Sequence, residues 1–150
     1  MKTVLLSSIL LLFFSSIFGQ VRQWYDQASS NEDMAEKLIS YTDAHLKENP
    51  VFAGYNGAAR MVMAKHKFNP MSKWETFSKG KKILENAIAK NPDNVELIFL
   101  RLTIQENIPA FLGYSDQISA DRLFLKNMLQ QMADKDLQTR ISRYLNPGKS

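Results

Sequence analysis

Apolar residues recur along this chain at intervals of three and four, and nowhere do they alternate with polar ones for long enough to argue a strand. The spacing predicts an all-helical protein. A first helix is expected from Ser30 to about Lys47. Asp33 would complete an imperfect capping box with Ser30, and Met34, Leu38, Tyr41 and His45 would share one face. Asn49-Pro50 breaks the pattern. Proline is tolerated in a first turn, so a second helix is expected from Pro50, turning Phe52, Tyr55, Ala59, Val62 and Met63 inward until Lys65 to Pro70 close it. Ala53, Gly54, Gly57 and Ala58 leave room for a neighbouring helix to come close.

A third helix of about 18 residues is expected from a Ser72 cap, with Trp74, Phe77, Leu84, Ala87 and Ile88 as its stripe and Asn91-Pro92 as its stop. The fourth should run from Asn94 to about Glu106. Its core from Val95 to Ile104 is apolar nearly all round, which predicts a central helix with neighbours on several sides. Ile108 to Tyr114, holding Pro109 and Gly113, should be an irregular turn. Ser119 should open a fifth helix with Leu125, Met128, Leu129 and Met132 inward, and Leu137, Ile141 and Tyr144 mark a short sixth. The expected architecture is five to six helices in antiparallel hairpins. Trp24 and Tyr25 precede the first of these and are expected to pack a short N-terminal helix onto it, the alternative being an exposed patch.

The first 19 residues read differently. Lys2, the apolar run Val4 to Phe18 interrupted by Ser7-Ser8 and Ser15-Ser16, and the small Gly19 have the form of a secretory signal peptide. The run is too short and broken for a spanning helix, so no transmembrane segment is expected once it is removed. Residues 20–146 would form one helical domain, with 147–150 as a frayed tail. The chain has no cysteine, which excludes thiolate nucleophiles, Cys-based metal sites and disulfides, so packing must supply the stability.

Asn49-Pro50 recurs as Asn91-Pro92, each copy standing between helical segments. In the third helix Gly80, Leu84, Ala87 and Pro92 follow a small, large, small, proline order, and Asp93 to Glu96 looks like the entry to a further unit. This resembles the second helix of a tetratricopeptide repeat, and residues 31–107 carry the resemblance. The spacing between the two Asn-Pro steps exceeds the usual repeat by about eight residues, and Leu102 stands where that family places a small residue. With its leader and Phe111 to Tyr114, the chain is also similar to small exported helical proteins of Gram-negative envelopes. The first resemblance implies a short array of stacked hairpins that binds another protein. The second carries no activity over.

Candidate chemistry is sparse. His45 and His66 stand in no metal-ligating spacing, no Gly-x-Ser-x-Gly occurs, and the six glycines form no phosphate loop. No cofactor, metal or catalytic residue is expected. Charge is more structured than its total of +4 suggests. Residues 60–82 hold seven Lys and Arg against Glu75 alone, so Arg60, Lys65, Lys67, Lys81 and Lys82 form a candidate patch for an anionic envelope surface; the alternative is a solvated face. The mild overall charge does not argue for nucleic acid. Arg101 lies inside the most apolar helix and needs a carboxylate. A turn near Pro92 and Asp93 sets Glu85 opposite it, so an Arg101–Glu85 ion pair is expected, with Lys81 competing for Glu85 and an anionic ligand in a groove as the rival occupant.

The sequence therefore predicts an exported, periplasmic or secreted, monomeric interaction module. An enzyme with a dispersed site and a purely structural periplasmic protein are the alternatives. Intact mass of the exported protein should match a chain that begins at Gln20. Met1 retained in membrane-bound material would contradict the cut.

Overall fold

The computed structural model describes residues 17–148, and the expected signal segment, residues 1–19, lies largely outside them, as do Lys149 and Ser150. Among the described residues there are seven α-helices and no strand. They are α1 (residues 17–28), α2 (Glu32–His45), α3 (Pro50–Met63), α4 (Pro70–Lys90), α5 (Val95–Asn107), α6 (Ile118–Met128) and α7 (Lys135–Leu145). None is long and apolar enough to cross a membrane. The extra helix is α1, which the Trp24 and Tyr25 rings join to the rest. Trp24 meets Tyr41 edge to face at 5.4 Å and Tyr25 meets Tyr55 at 5.6 Å. The expected cut behind Gly19 falls inside α1, whose Phe18 ring stacks on Phe52 at 5.3 Å.

Five helices begin in the same way. Asn31, Asn49, Asn69, Asn94 and Asp134 each stand in an extended or near-extended conformation just before a helix, and each side-chain oxygen accepts a backbone N–H of the first turn. Asn31 takes the place of the expected Ser30: its Oδ1 accepts Met34 N–H at 3.2 Å, while the Ser30 hydroxyl donates back to Gln27 O. Asn69, not Ser72, caps α4, with Pro70 in the first turn and Met71 N donating at 2.8 Å. The Asn91-Pro92 step works at the other end of a helix: Asn91 terminates α4, its N–H donating to Ile88 O and its side-chain amide to Ala87 O. The earlier start makes α4 21 residues long, and Asn69-Pro70 is a further Asn-Pro step between Asn49-Pro50 and Asn91-Pro92.

The tightest contact in the fold is the crossing of α3 and α4 at Gly57 and Gly80. A Cβ on Gly57 would stand 2.6 Å from Gly80 O and 2.7 Å from Leu84 N; one on Gly80 would press on Gly57 O and on Met61 N. Backbone thus touches backbone, and glycine is required on both sides. Because of this approach α3 is buried nearly all round, so it shares the centre with α5, the helix expected there alone. Past Met63 the chain continues in a 3-10 turn, Ala64–His66, that also packs against α4. Trp74, expected in the core stripe, is 56 % exposed, whereas Phe77 is buried.

Replacing Gly80 by Ala adds helix propensity of up to about 1 kcal/mol. The new methyl meets backbone that cannot rotate away, and overpacking costs about 1–3 kcal/mol. Gly80→Ala and Gly57→Ala should therefore lower unfolding free energy in urea. Gly54→Ala, which meets the Leu97 side chain, should cost less because that side chain can repack.

Candidate binding cleft

The odd-numbered helices face a common cleft of about 1150 Å³. From α1 come Arg22, Tyr25 and Asp26, and from α3 Tyr55, Met61 and Val62. From α5 come Phe99, Leu100, Thr103, Ile104, Glu106 and Asn107, and from α7 Asp136, Thr139, Arg140, Arg143 and Tyr144. Arg122 of α6 is the single lining residue from an even-numbered helix, and Lys65, just after α3, joins the rim.

Arg22 closes the base of the cleft. Its side chain is 4 % exposed and spends all its nitrogens on carboxylates. Nε and Nη2 donate to Glu96 at 2.7 and 2.9 Å, Nη2 also to Asp134 at 2.7 Å, and Nη1 to Asp136 at 2.9 Å. Burial alone would lower its pKa, but these carboxylates hold it far above the usual value. Tyr55 donates to Glu96 Oε1 at 2.7 Å, so burial and then the Glu96 charge push this phenol well above its ordinary pKa. Burial also pushes Tyr25 up to about 12. Both phenols stay protonated at neutral pH.

The cleft carboxylates are all engaged. Glu106 takes two bonds from Arg122, at 2.5 and 3.1 Å, and Arg140 bridges Asp26 at 2.6 Å and Asp136 at 3.1 Å. Burial by itself would raise the Glu106 carboxyl, but hydrogen bonds from Arg122 and Tyr144 outweigh it and hold the group below its ordinary value. The threonine hydroxyls turn back on their own helices, Thr103 donating to Leu100 O and Thr139 to Lys135 O, each at 2.8 Å. Among the described residues, Lys65 and Arg143 have no carboxylate within salt-bridge distance. Neither histidine lines the cleft: His45 Nδ1 is 2.6 Å from Tyr41 O, and His66 Nε2 is 3.3 Å from Ala28 O. No group of three metal-ligating side chains occurs among the described residues.

Within the basic block of residues 60–82, the side chains meet different partners. Arg60 is held by Asp43 at 2.9 Å and Asn56 at 2.9 Å between α2 and α3. Lys67 lies 3.8 Å from Glu32, Lys81 sits 4.7 Å over the Tyr114 ring, Lys82 is exposed and Lys65 belongs to the cleft rim. Three of the five thus have partners of their own.

Arg101 lies 3.3 Å from Glu85, but its closer partner is Asp121 of α6, which takes two bonds at 2.8 and 2.7 Å. Asp121 is only 3 % exposed. Glu85 in turn accepts the Tyr114 hydroxyl, so Lys81, the expected competitor, meets the ring instead of the carboxylate. Arg101 ties α4, α5 and α6 together and is not part of the cleft lining. Asp121 was not legible because it lies beyond the irregular turn, whose path the spacing does not define.

Truncating Arg101 strands a buried carboxylate, so Arg101→Ala should destabilise by about 3–5 kcal/mol. Glu85→Ala should cost about 1 kcal/mol or less, because that carboxylate is partly solvated. Double-mutant cycles in urea should therefore give a larger coupling for Arg101 with Asp121 than with Glu85; equal couplings would contradict the geometry. Compared with known proteins, the chain matches no family model, no curated protein and no solved structure, and its cleft stands on its own residues.

Proposed function

We propose that this chain is an exported, non-catalytic, tetratricopeptide-like interaction module of the cell envelope, and that its cleft takes up an extended segment of another protein. The observation that carries this reading is the lining itself. Successive hairpins each offer their first helix to one continuous groove, while α2 and α4 offer none. Stacked helical hairpins build extended concave binding surfaces in this way. A wall that mixes Tyr25, Tyr55, Phe99 and Tyr144 with arginines suits a peptide, because aromatic and guanidinium groups bind both apolar and polar side chains.

Two features favour binding over a dispersed active site. Every carboxylate in the lining is paired with an arginine, and both threonine hydroxyls donate to their own helices. Glu106, beside the Tyr144 hydroxyl, is also held by Arg122, and these hydrogen bonds keep its carboxyl below its ordinary pKa, which makes it a weak base. Arg143 and Lys65, without carboxylates of their own, favour an acidic segment.

Panning a library of unstructured peptides on the purified protein tests this. Acid-rich sequences should be enriched. Arg143→Glu should weaken them at least tenfold, about 1.4 kcal/mol, with little change in Tm, since Arg143 is exposed. Equal binding to the protein and to the Arg143→Glu variant would place the peptide elsewhere and overturn the proposal.

A further inference from the structure

Six large hydrophobic side chains are exposed among the described residues, and three of them fall within seven consecutive positions: Phe68, fully exposed, Met71, 64 % exposed, and Trp74, 56 % exposed. Met71 and Trp74 stand three residues apart on α4 and are neighbours on its surface, and Phe68 lies just before its first turn. Phe68 directly precedes the Asn69 cap. An apolar residue there often folds back onto the fourth helical position, but Lys73 occupies that position and offers no apolar partner, so the ring stays in water. The same stretch holds Lys65, Lys67 and Lys73 and no carboxylate from residue 65 to residue 74. The nearest acidic groups are Glu32, 3.8 Å from Lys67 Nζ, and the exposed Glu75.

We propose that this corner is a membrane-docking element. Phe68, Met71 and Trp74 enter the interfacial region of an anionic phospholipid bilayer while Lys67, Lys73 and the rim residue Lys65 meet its headgroup phosphates. Aromatic and apolar side chains interleaved with lysine have the chemistry of interfacial membrane anchors: tryptophan sits well at headgroup level, and lysines add attraction to anionic lipid. Shape also favours lipid over a protein partner. A protein hot spot is a packed pocket that receives an anchor residue, whereas these side chains stand exposed around the entry to α4. A fluid interface moulds around such side chains without a matching surface. The positive net charge of the chain has the sign an anionic surface attracts. Apart from Lys65, which the cleft rim shares, its residues lie outside the cleft lining, and its test does not depend on the cleft-binding proposal.

The chain has two tryptophans, so Trp24→Phe leaves Trp74 as the only reporter in the full-length protein. Vesicles of phosphatidylglycerol and phosphatidylcholine with brominated acyl chains are the probe, against phosphatidylcholine alone. Trp74 emission should shift to the blue and be quenched on the anionic vesicles, and high salt should reverse both changes because it screens the lysines. Phe68→Ser with Met71→Ser should weaken the Trp74 response at least tenfold, and Lys73→Gln about fivefold, with Tm unchanged. The leader can tether the full-length chain to any vesicle. Quenching of Trp74 reports the corner itself, so co-sedimentation with Trp74 unquenched would overturn the proposal. Equal quenching on phosphatidylcholine alone, or a blue shift that grows with protein concentration in the absence of lipid, would also overturn it, the last by showing that a second copy covers the patch.

Discussion

The guanidinium of Arg22 is the interaction on which the arrangement of the chain ends depends. A guanidinium offers five N–H donors in a rigid fork, and taking it out of water is tolerable only if carboxylates replace the lost hydration. Arg22 meets that demand with Glu96 at the start of α5 and with Asp134 and Asp136 at the start of α7. These partners come from separations of 74, 112 and 114 residues, so one side chain joins the N-terminal helix to the middle and the end of the chain. It also explains how a cleft can be walled by α1 and α7, which are otherwise far apart in sequence. Hydrophobic burial is not directional and cannot by itself fix which ends meet.

The same device recurs at each level of the stack. Arg60 links Asp43 and Asn56 between α2 and α3, and Arg101 links Glu85 and Asp121 across α4, α5 and α6. Each arginine sits beside a close-packed apolar contact that supplies the attraction, and its ion pairs select the register. Between α3 and α4 no such pair is needed, because the Gly57 and Gly80 backbones touch and a slip of one residue would drive side chains into backbone.

What was legible in the sequence follows from the range of each signal. Helix period, the Asn-Pro steps and the small-residue run are local, and α2 to α7 fall within a few residues of where those signals place them. Caps were misjudged where two capping residues compete, as at Ser30 with Asn31 and at Asn69 with Ser72, because the backbone path decides which oxygen reaches an N–H. Trp74 was misplaced because its spacing is right for a core stripe, but whether a neighbouring element covers that turn is not contained in any window within one helix. The ion pairs were least legible. Glu85 could be set opposite Arg101 by counting back from a tight turn, whereas Asp121, Asp134 and Glu96 lie across paths that counting does not follow. The charge blocks gave only a coarse hint: the acidic stretch 83–121 and the basic stretch 122–150 meet in pairs such as Glu106 with Arg122.

The expected cut behind Gly19 bears directly on the cleft. A chain cut behind Gly19 keeps only nine residues of α1 and loses the Phe18 ring from Phe52. A helix of that length is marginal by itself in water, so tertiary contacts must hold it. The remaining contacts include Arg22 on Glu96, Asp134 and Asp136, Tyr25 against Tyr55 and Thr103, and Trp24 against Tyr41 with Lys37 over its indole. Tyr41, Lys37 and Tyr55 come from α2 and α3, and Glu96, Thr103, Asp134 and Asp136 from α5 and the start of α7, so α1 is held by both halves of the chain. The wall that Arg22, Tyr25 and Asp26 give to the cleft therefore depends on contacts widely separated in sequence, which ties the shape of the cleft to completion of the fold.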